Sequence, residues 1–278
     1  MRLEPTSERL IVDSYQHSAE NYLIYLFHIA TYNFAKQYIE GKWVFDFGCG
    51  SGYGTALVAG SCAKIIGVDI APEAIGYARD HYQSVNLNYR TVKPVEIEPL
   101  PFANATFDTI LSFQVIEHIR HVPSYLSEIL RVLKSRGILL IATPDRTSRL
   151  FRFQKPWNRW HVKEYDRKEL SRILVPSFRT VALFEMGGSE EVLAIELART
   201  KKLKWFSLPV TLPWTPEVVR VGCLSVIKSL LRRVSNKQSS SPLHFGFDES
   251  ALVIAPTVEN SVNLIAVAQK DDSGTGES

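Results

Sequence analysis

The residues best placed to do chemistry in this 278-residue chain form the run Asp46-Phe47-Gly48-Cys49-Gly50-Ser51-Gly52. A carboxylate ends an apolar stretch and meets alternating glycines, with Tyr53 opening a helical pattern. Glycine tolerates positive φ and lets backbone amides approach a ligand at the amino end of a helix. The spacing excludes a dinucleotide fingerprint. Counting G-x-G-x-x-G from Gly48 puts Tyr53 at the third glycine, and counting from Gly50 puts Thr55 there. Asp46 would repel a pyrophosphate and attract a cation. Asp69 closes the second strand, in Ile65-Ile66-Gly67-Val68-Asp69-Ile70, where a carboxylate can accept from both ribose hydroxyls. Singly, these are loop glycines and strand-end aspartates. Together, in this order, they describe a site for a positively charged nucleoside.

Two further groups carry chemistry. His118, beside Glu117, follows the fourth strand, and an imidazole titrating near neutrality can take a proton from an attacking hydroxyl. A helix-capping pair is the alternative reading. The stretch from Pro156 to Tyr165 puts Trp160, His161 and Glu164 on one loop after the fifth strand. Loops over a rigid sheet commonly recognise substrates, although a tryptophan-rich loop also packs onto a core. His161 is the second candidate base.

The elements that must position these residues alternate. Trp43 to Phe47, Lys64 to Val68, Leu87 to Val92, Thr109 to Phe113 and Gly137 to Ala142 are short β-branched or aromatic runs. Helical patterns lie at Tyr53 to Ala59, Pro72 to Tyr82 and Pro123 to Leu133. The alternation predicts an α/β fold with a parallel sheet covered on both faces. A first helix, Leu23 to Ile39, precedes it and ends at Gly41. Asp166 and Glu169 form a capping box, Phe178 to Phe184 a sixth strand and Val262 to Gln269 a seventh. Between the last two, Lys201 to Pro256 breaks the rhythm and reads as an insertion. It holds a basic aromatic patch (Lys201 to Phe206), an amphipathic stretch from Pro216 to Val234 and a polar run from Ser235 to Ser241.

Nearly half the residues are hydrophobic and the formal charge is +3, so a full core is available and no nucleic-acid footprint stands out. Cys49, Cys62 and Cys223 are too few for a disulfide framework, which points to a cytoplasmic location. No stretch approaches the roughly 18 apolar residues of a membrane span, and the N-terminus lacks a secretion signal. Residues 271–278 are polar enough to predict a disordered tail.

Val44 to Thr55 and Gly67 to Ile70, with Leu100-Pro101-Phe102, Phe107-Asp108 and Val115-Ile116-Glu117-His118, resemble the class I S-adenosylmethionine-dependent methyltransferases. The resemblance covers about residues 8–184. It implies a Rossmann-like, doubly wound, seven-stranded sheet whose last strand is antiparallel. It divides the chain into an N-terminal helical cap over residues 1–40 and a methyltransferase domain over 41–270, with an insertion at about 190–260. It implies S-adenosyl-L-methionine as cofactor, with Asp46, Gly48, Cys49, Gly50, Gly52 and Tyr53 around the methionine part. Asp69 and Ile70 would meet the nucleoside, with Glu96 toward the adenine and Gln114 nearby. Some relatives carry Glu-x-x-Glu-His after the fourth strand and bind a divalent metal. Here Gln114 replaces the first glutamate, so no metal is expected.

The loop with Trp160 and His161 is similar to an Asn-Pro-aromatic-His-x-x-Glu-aromatic signature of a bacterial subset associated with polysaccharide assembly, with Arg159 in place of proline. The same subset shows Glu-Arg near its start, here Glu8-Arg9, and a histidine and tyrosine on the first helix, here His28 and Tyr32. His28, Tyr32, Trp160 and Glu164 are therefore the expected acceptor contacts, though His28 also suits a core position. The expected partner is a saccharide or small-molecule acceptor. O-methylation of a saccharide or lipid-linked saccharide leads. Methylation of a small aromatic or isoprenoid metabolite and a non-catalytic binding module are the alternatives. Arg220, Lys228, Arg232 and Arg233 alternate with Leu224, Ile227 and Leu231 as in a basic amphipathic helix, for which a solvated helix packed on the domain is the commoner reading and a lid, or a surface meeting the inner face of a membrane, the sharper one.

Overall fold

A computed structural model of the chain describes residue 15, residues 18–234 and residues 245–272, with side chains left aside over 228–234. Helix α1 (Ala19–Ile39) begins four residues earlier than its apolar pattern, because the Ser18 hydroxyl accepts from the Asn21 amide at 3.1 Å and caps it. Then follow β1 (Trp43–Phe47), α2 (Tyr53–Ala59), β2 (Lys64–Asp69), α3 (Pro72–His81), β3 (Leu87–Thr91), β4 (Phe107–Phe113), α4 (Val122–Val132) and β5 (Leu133–Pro144). After a short helix α5 (Arg146–Arg149) come α6 (Arg167–Leu174), β6 (Thr180–Gly188), α7 (Glu190–Ser207), α8 (Glu217–Val234), β7 (Leu252–Ala255) and β8 (Asn263–Gln269). The Asp166 side chain and Glu169 cap α6 reciprocally, as their spacing predicts.

The strands form one sheet of eight, ordered β3-β2-β1-β4-β5-β8-β6-β7. This is the Rossmann-like arrangement expected, with one more strand than seven. The extra strand is β7, which lies within the insertion and pairs antiparallel with β6 at the sheet edge. Strand β8 runs antiparallel between β5 and β6. The order reverses between β1 and β4, and the crevice above the carboxyl ends of strands at such a switch point is where open α/β sheets bind ligands. The glycine turn after β1 and residues 114–118 after β4 flank it.

Burial on both faces explains the continuous apolar runs. Phe45, Ile110 and Leu139 pack on one side with α4 and α6, while Val44, Leu111 and Leu140 pack on the other with α1 and α2. Helix α7 starts directly after β6, so the basic aromatic patch at Lys201 to Phe206 is helical and the insertion opens eleven residues before that patch. Helix α8 coincides with the amphipathic stretch. No helix among the described residues is long and apolar enough to cross a membrane. Glu8-Arg9, the polar run at 235–241 and residues 273–278 of the tail lie outside the described residues.

Candidate active site

The turn after β1 is built by backbone geometry. Gly48, Gly50 and Gly52 all take positive φ, at 83°, 55° and 84°. A Cβ at Gly52 would fall 2.6 Å from that of Ala78, whereas one at Gly50 would meet nothing within 4 Å. Among the described residues the turn is thus packed at Gly52 and open at Gly50. Cys49 points away, buried with Ile75, Ala78 and Tyr89, and burial pushes its thiol well up. Its side chain belongs to the core, leaving its backbone to the turn.

Asp46 is buried at the end of β1. Its Oδ2 accepts from the Tyr32 hydroxyl at 2.9 Å and the Thr55 hydroxyl at 2.6 Å. Its Oδ1 is buried with no hydrogen-bond partner among the described residues. Burial raises the carboxyl to about 6 against the pull of those two hydroxyls. A buried carboxylate with one orphaned oxygen fits a cationic ligand. Asp69 accepts from the amides of Gly50 at 3.0 Å and Ala71 at 2.9 Å, which orient its carboxylate at the carboxyl end of β2. Ile70 stands beside it, 60% exposed, an apolar surface suited to a base. Glu96 is exposed in the turn following β3. Tyr53 opens α2 with its ring 6.3 Å from that of His28. These residues fit S-adenosylmethionine.

Gln114 holds a left-handed conformation, φ 56°, while its amide donates to the Ala142 carbonyl at 2.8 Å. Such a conformation in a non-glycine residue costs of order 1 kcal/mol and marks a constrained corner. With His28, His161 and Asn263 it lines a cavity of about 520 Å³. Leu203 and Phe206 of α7 and Leu224 and Ile227 of α8 also line it.

His161 is buried, with its Nδ1 2.8 Å from Glu164 Oε1 and its Nε2 2.8 Å from Asn158 Nδ2. Burial pushes the Glu164 carboxyl up, but the Arg149 charge and the His161 bond outweigh it and hold it at about 2. An ionised carboxylate only accepts, so Nδ1 of His161 carries the proton and Nε2 is the basic nitrogen. His118 lies off the cavity wall, its Nδ1 3.1 Å from the Trp160 carbonyl and its ring perpendicular to that of His161 at 4.9 Å between centroids.

Three expected acceptor contacts stand elsewhere. Tyr32 is buried beneath the glycine turn, bonded to Asp46, and a Cβ on Gly54 would sit 2.0 Å from its ring. Glu164 is buried behind His161, in a two-bond pair with Arg149 at 2.9 and 3.2 Å. Trp160 is half exposed with the Arg159 guanidinium over its ring, and Trp157 takes the place on the cavity wall. His28 lines the cavity.

The structure also brings together Glu117, His118 and His161, whose ligand atoms lie within 4.8 Å of one another. Sequence spacing joined only the first two. Glu117 is buried, accepts from the Thr143 hydroxyl at 3.0 Å through Oε2, and is pushed up by burial. With His161 already bonded through both ring nitrogens, a metal there would have to displace Asn158.

Arg220 departs most from expectation. It is fully buried, and it donates to the carbonyls of Pro156 at 2.6 Å and of Asn158 and His161 at 3.2 Å. Its spacing from Leu224 and Ile227, one and two helical turns on, puts it on the apolar face, and that is the signal that alternation of charges obscured.

Residues 45–141 match a family model described as a methyltransferase domain. A protein of Mycolicibacterium smegmatis named "probable S-adenosylmethionine-dependent methyltransferase" is 31% identical over 147 residues, covering 53% of this chain and 55% of that protein. A ubiquinone biosynthesis O-methyltransferase of Rhizobium etli is 33% identical over 111 residues, 39% of this chain and 44% of its own. A crystal structure of an S-adenosylmethionine-dependent methyltransferase from Thermotoga maritima superposes with a TM-score of 0.57 at 13% identity, covering 90% of this chain and 92% of that one. The chain spans little more than half the length of the first of these curated relatives. Over residues 45–141 the chain is thus similar to methyltransferase domains, and it shares the fold of S-adenosylmethionine-dependent methyltransferases of known structure.

Proposed function

We propose that the protein transfers a methyl group from S-adenosylmethionine to an oxygen of a small acceptor whose reacting end is polar and whose body is aromatic or isoprenoid. The cavity carries this reading. Gln114 and His28 join it to the glycine turn, since Val115 lies against Gly48 and the His28 ring neighbours Tyr53, while Leu203 and Phe206 of α7 and Leu224 and Ile227 of α8 give it apolar surface beside the charged Glu196, Arg199 and Lys202. Such walls favour an apolar body.

S-adenosylmethionine held there would supply an electrophilic methyl group. Asp46, with its unpartnered Oδ1, would hold the cationic end, and Asp69 would accept from the ribose hydroxyls. His161 takes the hydroxyl proton at Nε2, where the acceptor replaces Asn158, and Glu164 stabilises the imidazolium from the other side. The lid over the cavity excludes water.

Incubation with labelled cofactor and separated lipid, glycan and small-metabolite fractions tests this, with label expected in apolar small molecules. Label confined to glycans would instead support the saccharide reading. That reading draws on Asn158 and Asn263 in the cavity wall, which offer hydrogen bonds to sugar hydroxyls. No label in any fraction, with cofactor bound, would leave a binding module.

Peripheral membrane contact draws support from Trp205, Phe206 and Trp214, exposed at 57%, 71% and 76% beside Lys201, Lys202 and Lys204. Sedimentation with anionic vesicles is the check, and protein left wholly in the supernatant rules the contact out.

A further inference from the structure

Among the described residues, the cavity wall holds more positive charge than its own carboxylates use. Arg149, Arg159, Arg199 and Lys202 all line it. Arg149 is matched by Glu164, and Arg199 by Glu196 through bonds of 2.8 and 2.6 Å. Arg159 and Lys202 remain, against Glu20 at the exposed start of α1.

Arg159 is held in a particular way. Nη1 donates to the Ser225 hydroxyl of α8 at 2.9 Å, and the guanidinium lies over the Trp160 ring at 4.4 Å from its centroid. These two contacts fix the plane and leave the edge that carries Nε and Nη2. Nε is buried with no hydrogen-bond partner among the described residues. That edge presents two parallel N–H donors, the pattern that matches two oxygens of a carboxylate or phosphate. A desolvated donor is costly to leave unpaired, and an anionic oxygen is its strongest complement.

We infer that the acceptor carries an anionic group, a carboxylate or phosphate, gripped by the Nε–Nη2 edge of Arg159 with Lys202 contributing charge, at the covered end of the cavity. This rests on the methyltransferase reading, and it narrows the acceptor class to an apolar molecule with one acidic group. The guanidinium is a positioning device for the acceptor, and the fork is already oriented before binding, so little side-chain freedom is lost on contact.

Calorimetric titration of the full chain, preloaded with S-adenosylhomocysteine, with octanoate, octyl phosphate and octanol below their aggregation limits tests the fork. At least one anion should bind about tenfold more tightly than octanol, a contrast within reach of one charge-assisted bidentate pair. A better octanoate than octyl phosphate identifies a carboxylic acceptor, and the reverse order a phosphate ester. R159M should bring the preferred anion to within about threefold of octanol, and R159K should keep an intermediate preference, since it retains a charge without the fork. Equal binding of all three probes, binding of none at millimolar concentration, or a tenfold preference that survives R159M would overturn the inference. S-adenosylhomocysteine binding is measured first: its absence in the unmodified chain counts against the methyltransferase reading, while its presence in R159M shows that the variant is folded.

Discussion

Arg220 of α8 donates to the backbone carbonyl of His161, 59 residues before it, at 3.2 Å. The same guanidinium donates to the carbonyl of Pro156 at 2.6 Å, so one buried cation from α8 holds both ends of the loop that presents the imidazole. Helix and loop are therefore one mechanical unit.

Replacing Arg220 with Met keeps apolar volume and strands those carbonyls without a donor. Each such loss costs about 1–3 kcal/mol, and a total of about 3 kcal/mol should appear as a lower urea midpoint. Acceptor methylation should fall by more than about tenfold, because displacement of a catalytic group by an ångström is that costly. Affinity for S-adenosylhomocysteine, held by the opposite wall, should change less than about twofold by calorimetry. A drop in cofactor affinity equal to the drop in turnover would deny the division.

Asp46 sets a pH dependence. Its carboxyl lies at about 6 in the folded protein, above the ordinary 3.8, so the folded state keeps a proton there that the unfolded chain has released. This contribution favours folding at low pH and is lost as pH rises from about 4 through about 6, leaving a cost of about 3 kcal/mol in the ligand-free protein at neutral pH. A cationic ligand offsets that cost only when Asp46 is ionised. Cofactor affinity should thus weaken about tenfold per pH unit below 6 and level off above 7. D46N should bind poorly with a flat profile, and a sloping one would locate the titration elsewhere.

Gly50 and Gly54 separate ligand space from protein space. G50A meets nothing among the described residues and should cost the left-handed penalty of about 1 kcal/mol, yet its methyl projects from the turn and should reduce cofactor affinity by more than about tenfold. G54A drives a methyl into the Tyr32 ring and should lower stability by about 3 kcal/mol. Thermal unfolding and cofactor titration of the pair should give opposite rankings.

How far the sequence reaches is clear from these residues. Asp46, the glycines and Asp69 were legible because their roles follow from local backbone, strand then turn then helix. The partners that complete the site were not. Tyr32 joins Asp46 from 14 residues away and Glu164 is claimed by Arg149 from 15, and each lands behind the wall that it was expected to line. The eighth strand escaped because Leu252–Ala255 is a four-residue edge segment inside a stretch with no repeating rhythm. Arg220 was misjudged because its charge suggested solvent while its position on α8 faced the core.

His161 and Glu164 can be told apart by kinetics. H161Q should cut turnover by about 10² or more with cofactor affinity little changed, as expected for loss of a general base. E164Q leaves Arg149 buried without its counter-ion and should destabilise the fold by about 3–5 kcal/mol. Glu164 is held at about 2, below its ordinary 4.5, so its stabilisation is present above pH 4.5 and lost as pH falls toward 2. In E164Q that acid-side loss should disappear from the stability profile measured by urea unfolding.

Helices α7 and α8 and strand β7 leave from the end of β6 and return at the start of β8, where Met186 and Asn263 pair across adjacent strands. Exit and re-entry are neighbours on a sheet whose other strands do not depend on what lies between them. A chain segment spliced in there alters the ceiling of the acceptor chamber without disturbing the donor turn on the far side. Descendants of one donor-binding frame can exchange such ceilings, because lengthening a closed excursion costs only about 0.6 kcal/mol per doubling. On the proposed reading, acceptor choice is in that sense structurally separable from the power to hold the donor.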